Sequence, residues 1–192
     1  MNLPNLLTAL RIALVPVFGM LWLGGRHAAA LVVFALAGLT DLLDGLAARL
    51  LDQRTRLGSF LDPAADKFML LVAFLVAASV GAVPWWLAGL VIGRDLALAA
   101  GFAAWTFLVH RTFDPRRWHP TRIGKYATFY QLLTIGLALV ARAADARALA
   151  PWVAALVLLA AATTVVSWVQ YFVRGVIAFR APGPRPAGGA PS

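Results

Sequence analysis

The chain has 192 residues, of which 61% are hydrophobic and only 13% charged, and its mean hydropathy of +0.80 excludes an ordinary soluble domain in favour of a multi-span membrane protein. Its net charge of +9 would suggest nucleic-acid binding in a soluble protein; here it fits arginines at the cytoplasmic ends of spans and contact with anionic headgroups, so no nucleic-acid partner is expected. With no cysteine, disulfides, thiolate chemistry and Cys-ligated metals are excluded.

Six apolar stretches follow one another, at roughly 6–23, 28–50, 62–80, 86–108, 123–141 and 150–173. Each is near the ~20 residues that cross a bilayer, and backbone groups cannot go unpaired in hydrocarbon, so all six are expected to be helices. The opening Met1-Asn2-Leu3-Pro4-Asn5 has no basic region and Arg11 interrupts the first stretch, which argues against a cleaved signal peptide. Residues 1–180 read as one membrane domain, and the Pro/Gly-rich 181–192 as a disordered tail.

Arginine placement orients the spans. With a cytoplasmic N-terminus, Arg11, Arg49, Arg54, Arg56, Arg111, Arg116, Arg117, Arg122, Arg174, Arg180 and Arg185 fall inside, and only Arg26, Arg142 and Arg147 outside. Both termini are therefore expected in the cytoplasm. Trp85 and Trp86 follow Pro84 at the outer end of the fourth span, a level that amphipathic rings prefer.

The second and third spans carry the chemistry. All eight acidic residues are Asp, and four of them occupy fixed positions of the run Asp41-x2-Asp44-Gly45-x2-Ala48-Arg49-x8-Gly58-x3-Asp62-x3-Asp66. Burying carboxylates near hydrocarbon costs several kcal/mol, so such a cluster is a functional-site hypothesis. Asp41 and Asp44 share one helix face, as do Asp62 and Asp66. The short connection predicts antiparallel neighbours that bring the two pairs together. Oxygen-only ligands suit Mg²⁺ or Mn²⁺, and four carboxylates are enough for two ions clamping a diphosphate. Gly45 and Ala48 would clear room for a nucleotide, Arg49 can neutralise a diphosphate oxygen, and Gly58 allows a close backbone approach. Singly these residues have plainer readings: Asp62 before Pro63 makes a helix cap, Gly45 and Ala48 suit helix packing, and Arg49 suits a snorkelling cation. Their joint spacing favours the metal site.

This run resembles the motif of the CDP-alcohol phosphotransferase (CDP-alcohol phosphatidyltransferase) family, and every motif position is matched. Looser similarity extends to Pro4-Asn5-x2-Thr8-x2-Arg11, Arg94-Asp95 and Gly124-Lys125-x2-Thr128. The resemblance implies an all-α integral membrane enzyme of phospholipid biosynthesis, dependent on Mg²⁺ or Mn²⁺ (two ions), which transfers a phosphatidyl group from CDP-diacylglycerol and releases CMP. It implies metal ligation by Asp41, Asp44, Asp62 and Asp66. The cytidine diphosphate would lie along Asp41, Asp44, Gly45, Ala48, Arg49 and Gly58, and Asp66 would be the general base. The bacterial inner membrane, with the site on the cytoplasmic side, is the expected location; a homodimer is compatible with it.

The acceptor is expected to be glycerol 3-phosphate, on the strength of the opening motif and Gly124-Lys125-x2-Thr128, which resemble phosphatidylglycerophosphate synthases. The alternative is a cardiolipin synthase that uses phosphatidylglycerol, which Arg94-Asp95 resembles more. A cation channel or transporter built on the aspartates is a remote alternative. Arg94, Lys125 and Arg174 are the expected interior-facing ligands of an acceptor phosphate. As helix neighbours Arg94 and Asp95 are not expected to pair with each other, and Lys67 is expected to snorkel. Asn5, Thr8 and Arg11 share a face that would approach substrate. The three histidines are expected in solvent.

Overall fold

The computed structural model describes the backbone of residues 3–50, 58–108 and 121–180, with side chains for 6–40, 65–101, 103 and 121–177. Among these the secondary structure is helical throughout: α1 (Leu3–Leu23), α2 (His27–Leu50), α3 (Gly58–Ser79), α4 (Trp85–Leu108), α5 (Arg122–Ala143) and α6 (Ala150–Arg180), with one 3₁₀ turn at Arg147–Leu149. Each of the six expected stretches is one helix. The main departure is α3, which begins at Gly58 and so holds Asp62 and Pro63 inside it. The capping reading of Asp62 is thereby corrected.

The bundle is apolar outside and partly polar within. Trp152, Leu158, Val169, Phe172 and Ile177 of α6 are exposed, while Gln131, Thr134, Thr164 and Ser167 are fully buried. A soluble bundle would do the reverse; in lipid, polar side chains hydrogen-bond between helices and apolar ones face the tails. Three helical segments among the described residues are long and apolar enough to cross a membrane: Leu6–Leu23, Arg122–Ala143 and Arg147–Ile177.

Neighbouring helices run in the order α1, α2, α5, α6, α4, α3 and back to α1, with α3 also touching α5. Among the described residues α2 and α3 therefore do not pack directly as the short link predicted. Instead α1 stands between them: its Phe18 ring lies 5.7 Å from that of Phe34 on α2, and Gly19 faces Val72 and Val76 of α3. Phe18 and Trp22, both fully buried and stacked edge-on, fill the space that direct contact would have needed.

Candidate active site

The aspartate run lies at one end of the bundle. Asp41, Asp44, Gly45, Ala48 and Arg49 occupy the last turns of α2; Gly58, Asp62 and Asp66 occupy the first turns of α3. Residues 51–57, which join the two ends, span at most about 25 Å even when extended, so both aspartate pairs belong to the same end. The side chains of Asp41, Asp44, Gly45, Ala48, Arg49, Gly58 and Asp62 lie outside the described residues. No group of three His, Cys, Asp or Glu side chains converges among the described residues.

Asp66 is described, and its surroundings add a residue to the site. Arg11 of α1, 2% exposed, donates from Nη1 to Asp66 Oδ1 at 2.6 Å, while the Asp66 side chain remains 46% exposed. Thr8, one turn earlier on α1, is also buried. The expectation for Arg11 therefore has a concrete form in its contact with Asp66; for Thr8 it rests on burial, and Asn5 lies outside the described side chains. A buried guanidinium needs a carboxylate partner, and Asp66 supplies it while keeping contact with solution.

On the other side of α3 a second cluster forms, where two expectations are corrected. Lys67 does not snorkel: its Nζ donates to both Asp95 oxygens, at 2.9 and 2.8 Å. Arg94 does pair with Asp95, Nη1 to Oδ1 at 2.7 Å, because its long side chain bends back to the next residue although their Cβ atoms diverge. Arg94 is 3% exposed; its Nη2 donates to Ser167 Oγ at 2.9 Å, and its guanidinium lies 5.7 Å from the centroid of the Tyr171 ring. The Tyr171 hydroxyl accepts from the Thr121 backbone N–H at 3.2 Å. Thr121 in turn caps α5, accepting from the Gly124 N–H at 2.9 Å.

Gly124 explains why the three helices can meet here. A Cβ at this position would lie 3.1 Å from Thr121 Oγ1, 3.1 Å from Tyr171 OH and 3.4 Å from Arg94 Nη2. Of the three expected acceptor ligands, Arg94 faces the interior, while Lys125 and Arg174 are exposed on α5 and α6 near the same end. Arg94 Nε is buried with no hydrogen-bond partner among the described residues.

The sequence reading missed Ser167, Tyr171 and the buried Gln131–Thr164 pair, whose amide donates to the hydroxyl at 2.9 Å. Thr164, Ser167 and Tyr171 recur at three- and four-residue intervals in an otherwise apolar helix, a spacing that marks one face. His27, expected in solvent, is partly buried at the start of α2.

The donor set of the run fits Mg²⁺ or Mn²⁺. Its four metal-ligand candidates are all carboxylates, and the one among them whose side chain is described, Asp66, is open to solution.

Comparison with known proteins agrees with this geometry. The family model for CDP-alcohol phosphatidyltransferase matches residues 1–179. The chain is 37% identical over 183 residues to a Mycobacterium tuberculosis protein named "Probable phosphatidylglycerophosphate synthase", covering 91% of this chain and 82% of that one. It is 33% identical over 178 residues to the Aquifex aeolicus "CDP-diacylglycerol–glycerol-3-phosphate 3-phosphatidyltransferase", covering 91% and 96%. It is also 39% identical over 155 residues to the Rattus norvegicus "Cardiolipin synthase (CMP-forming)", covering 73% of this chain and 50% of that one.

Proposed function

The chain belongs to the CDP-alcohol phosphatidyltransferase family, and from that premise we propose that it transfers the phosphatidyl group of CDP-diacylglycerol to glycerol 3-phosphate, forming phosphatidylglycerophosphate and CMP. The observation that carries the reading is the complete run Asp41-x2-Asp44-Gly45-x2-Ala48-Arg49-x8-Gly58-x3-Asp62-x3-Asp66 on helix ends that lie at the same end of the bundle. The names of the Mycobacterium and Aquifex relatives, each matched over nine-tenths of this chain, support glycerol 3-phosphate as the acceptor.

Asp41, Asp44, Asp62 and Asp66 would hold the Mg²⁺ or Mn²⁺ ions, which supply positive charge to the diphosphate when bound. Gly45, Ala48 and Gly58 leave room for the nucleotide, and Arg49 neutralises a diphosphate oxygen. Asp66 takes the proton from the acceptor hydroxyl. The oxygen so activated attacks the phosphorus on the diacylglycerol side, and the bond to the bridging oxygen breaks, so that CMP leaves with the electron pair. Arg11, buried against Asp66, orients that carboxylate. Arg94 offers its unengaged Nε–H to the acceptor phosphate, with Lys125 and Arg174 adding charge from α5 and α6.

The arginine distribution supports six spans with both termini in the cytoplasm, which would put the reaction at the cytoplasmic face of the membrane, taken here as a bacterial inner membrane. A second reading, transfer to phosphatidylglycerol by a cardiolipin synthase, is favoured by Arg94-Asp95 and by the identity to the rat enzyme. Purified protein given labelled CDP-diacylglycerol with each acceptor in turn decides between them. Phosphatidylglycerophosphate as product supports the first reading; cardiolipin, with glycerol 3-phosphate left untouched, overturns it.

A further inference from the structure

At the end of the bundle opposite Asp66, a cavity of about 710 Å³ opens where the α3–α4 turn meets the end of α5 and the start of α6. It shares no residue with the site proposed above for phosphatidyl transfer. Its wall is apolar, formed by Ala138, Val153, Ala154, Val157 and Leu158, and its rim is charged, formed by Arg142, Asp145 and Arg147. Arg142 Nη2 donates to the Val80 carbonyl at 2.9 Å, which ties the guanidinium to the α3–α4 turn beside the cavity. Asp145 adopts a left-handed conformation (φ 47°) that ends α5 and leads into the 3₁₀ turn, so Arg147 lines the same rim.

The depth of the cavity follows from its neighbours. Trp85 and Trp86 at the start of α4 and Trp152 at the start of α6 are all more than half exposed at this end. Indole rings in such a girdle mark the boundary between headgroups and hydrocarbon. The cavity therefore sits at headgroup level, with its apolar wall running down α6 toward the lipid tails. The sequence places only three arginines at this end, Arg26, Arg142 and Arg147, and two of them converge on this one rim.

We propose that the cavity binds one phospholipid with a net singly negative headgroup, a phosphodiester without a cationic group of its own, drawn from the leaflet at this end. Its phosphate would lie between Arg142 and Arg147, with an acyl chain along Val153, Val157 and Leu158. Charge favours this occupant: two arginines less Asp145 leave one positive charge, which a phosphodiester neutralises and a doubly charged phosphomonoester would overshoot. Size agrees, since pockets of several hundred Å³ hold a headgroup and glycerol backbone. A lipid held here would bridge the α3–α4 turn, α5 and α6.

Native mass spectrometry of the full, delipidated chain, titrated with phosphatidylglycerol or phosphatidylcholine, tests this. Wild type should hold one equivalent of phosphatidylglycerol that the double variant Arg142→Gln/Arg147→Gln binds about thirtyfold more weakly, from the usual contribution of two interfacial arginines. Phosphatidylcholine should be retained by neither. Ala154→Trp, which fills the cavity without touching its charge, should lose the same equivalent and guards against misfolding of the double variant. Unchanged phosphatidyl transfer in both variants would separate this lipid from any acceptor bound near Asp66. Equal retention of phosphatidylglycerol in wild type and variants, equal binding of phosphatidylcholine, or displacement of the lipid by inorganic phosphate would each overturn the proposal.

Discussion

Asp66 and Asp95 are both carboxylates held by arginine, on opposite sides of the same helix system, yet their settings differ. Asp66 of α3 meets Arg11 of α1 and is nearly half exposed. Asp95 of α4 is enclosed by Lys67 on one side and Arg94 on the other, and is 18% exposed. A carboxylate that must receive a proton and meet substrate needs an open approach; one saturated by two cations is suited to fixing where those cations point. Under the proposed function Asp66 would be the reacting group and Asp95 a positioning residue for Arg94. Adjacent residues Asp66 and Lys67 commit α3 to both clusters, so that helix couples them.

The contrast can be broken most forcefully at the aspartate run. If four carboxylates and a diphosphate are neutralised by divalent ions, exhaustive chelation should abolish transfer, and Mg²⁺ or Mn²⁺ should restore it. Undiminished turnover in excess EDTA would remove the metal from the mechanism.

Next in size is the proposed base. Asp66→Asn keeps a polar partner for Arg11 but loses the proton acceptor, so kcat should fall about 10²–10⁴-fold while the CDP-lipid still binds. The matching change at Asp95, Asp95→Asn, should leave kcat within about tenfold and act mainly on the acceptor KM, because Lys67 and Arg94 lose only their shared counter-charge. Equal losses from the two substitutions would erase the distinction between the carboxylates.

Much of this arrangement was legible in the sequence because its causes are local. Long apolar stretches between arginines give the six helices, and three- and four-residue intervals give the shared faces of the aspartates. Contacts between helices were less legible. Lys67 and Asp95 are 28 residues apart, and nothing in the spacing of either states that α3 and α4 will set them side by side. The short link between α2 and α3 suggested direct packing, but the bulk of Phe18 and Trp22 puts α1 between them. Asp62-Pro63 resembled a helix start, yet the helix begins at Gly58 and carries Pro63 as its sixth residue, beyond the four amides that lack carbonyl partners. Arg94 and Asp95 pair because a long guanidinium side chain is not confined to the direction of its Cβ.

A substitution at Arg94 tests the acceptor side more gently. Arg94→Lys keeps the charge but loses the planar fork that reaches Asp95 and Ser167 together, and it loses the stack on Tyr171. KM for glycerol 3-phosphate should rise about tenfold, with KM for the CDP-lipid changed by less than about twofold. A rise in both would mean that Arg94 supports the bundle as a whole rather than the acceptor.

The smallest effect is the sharpest probe, because it moves Arg94 without altering any charge. Gly124→Ala places a methyl group 3.1 Å from two oxygens and 3.4 Å from Arg94 Nη2. Neither oxygen can withdraw freely: Thr121 Oγ1 holds the Gly124 N–H as the α5 cap, and the Tyr171 hydroxyl holds the Thr121 N–H. Crowding of this kind costs about 1–3 kcal/mol, against a gain of about 1 kcal/mol from replacing glycine within a helix. The net loss should be about 1 kcal/mol, read as a fall of a few degrees in melting temperature in detergent. Because the methyl group also meets the end of the Arg94 side chain, KM for glycerol 3-phosphate should rise about threefold while the response to Asp66→Asn stays the same. A destabilised protein with unaltered acceptor KM would show that this junction of α4, α5 and α6 holds the helices together and leaves recognition of the acceptor to Lys125 and Arg174.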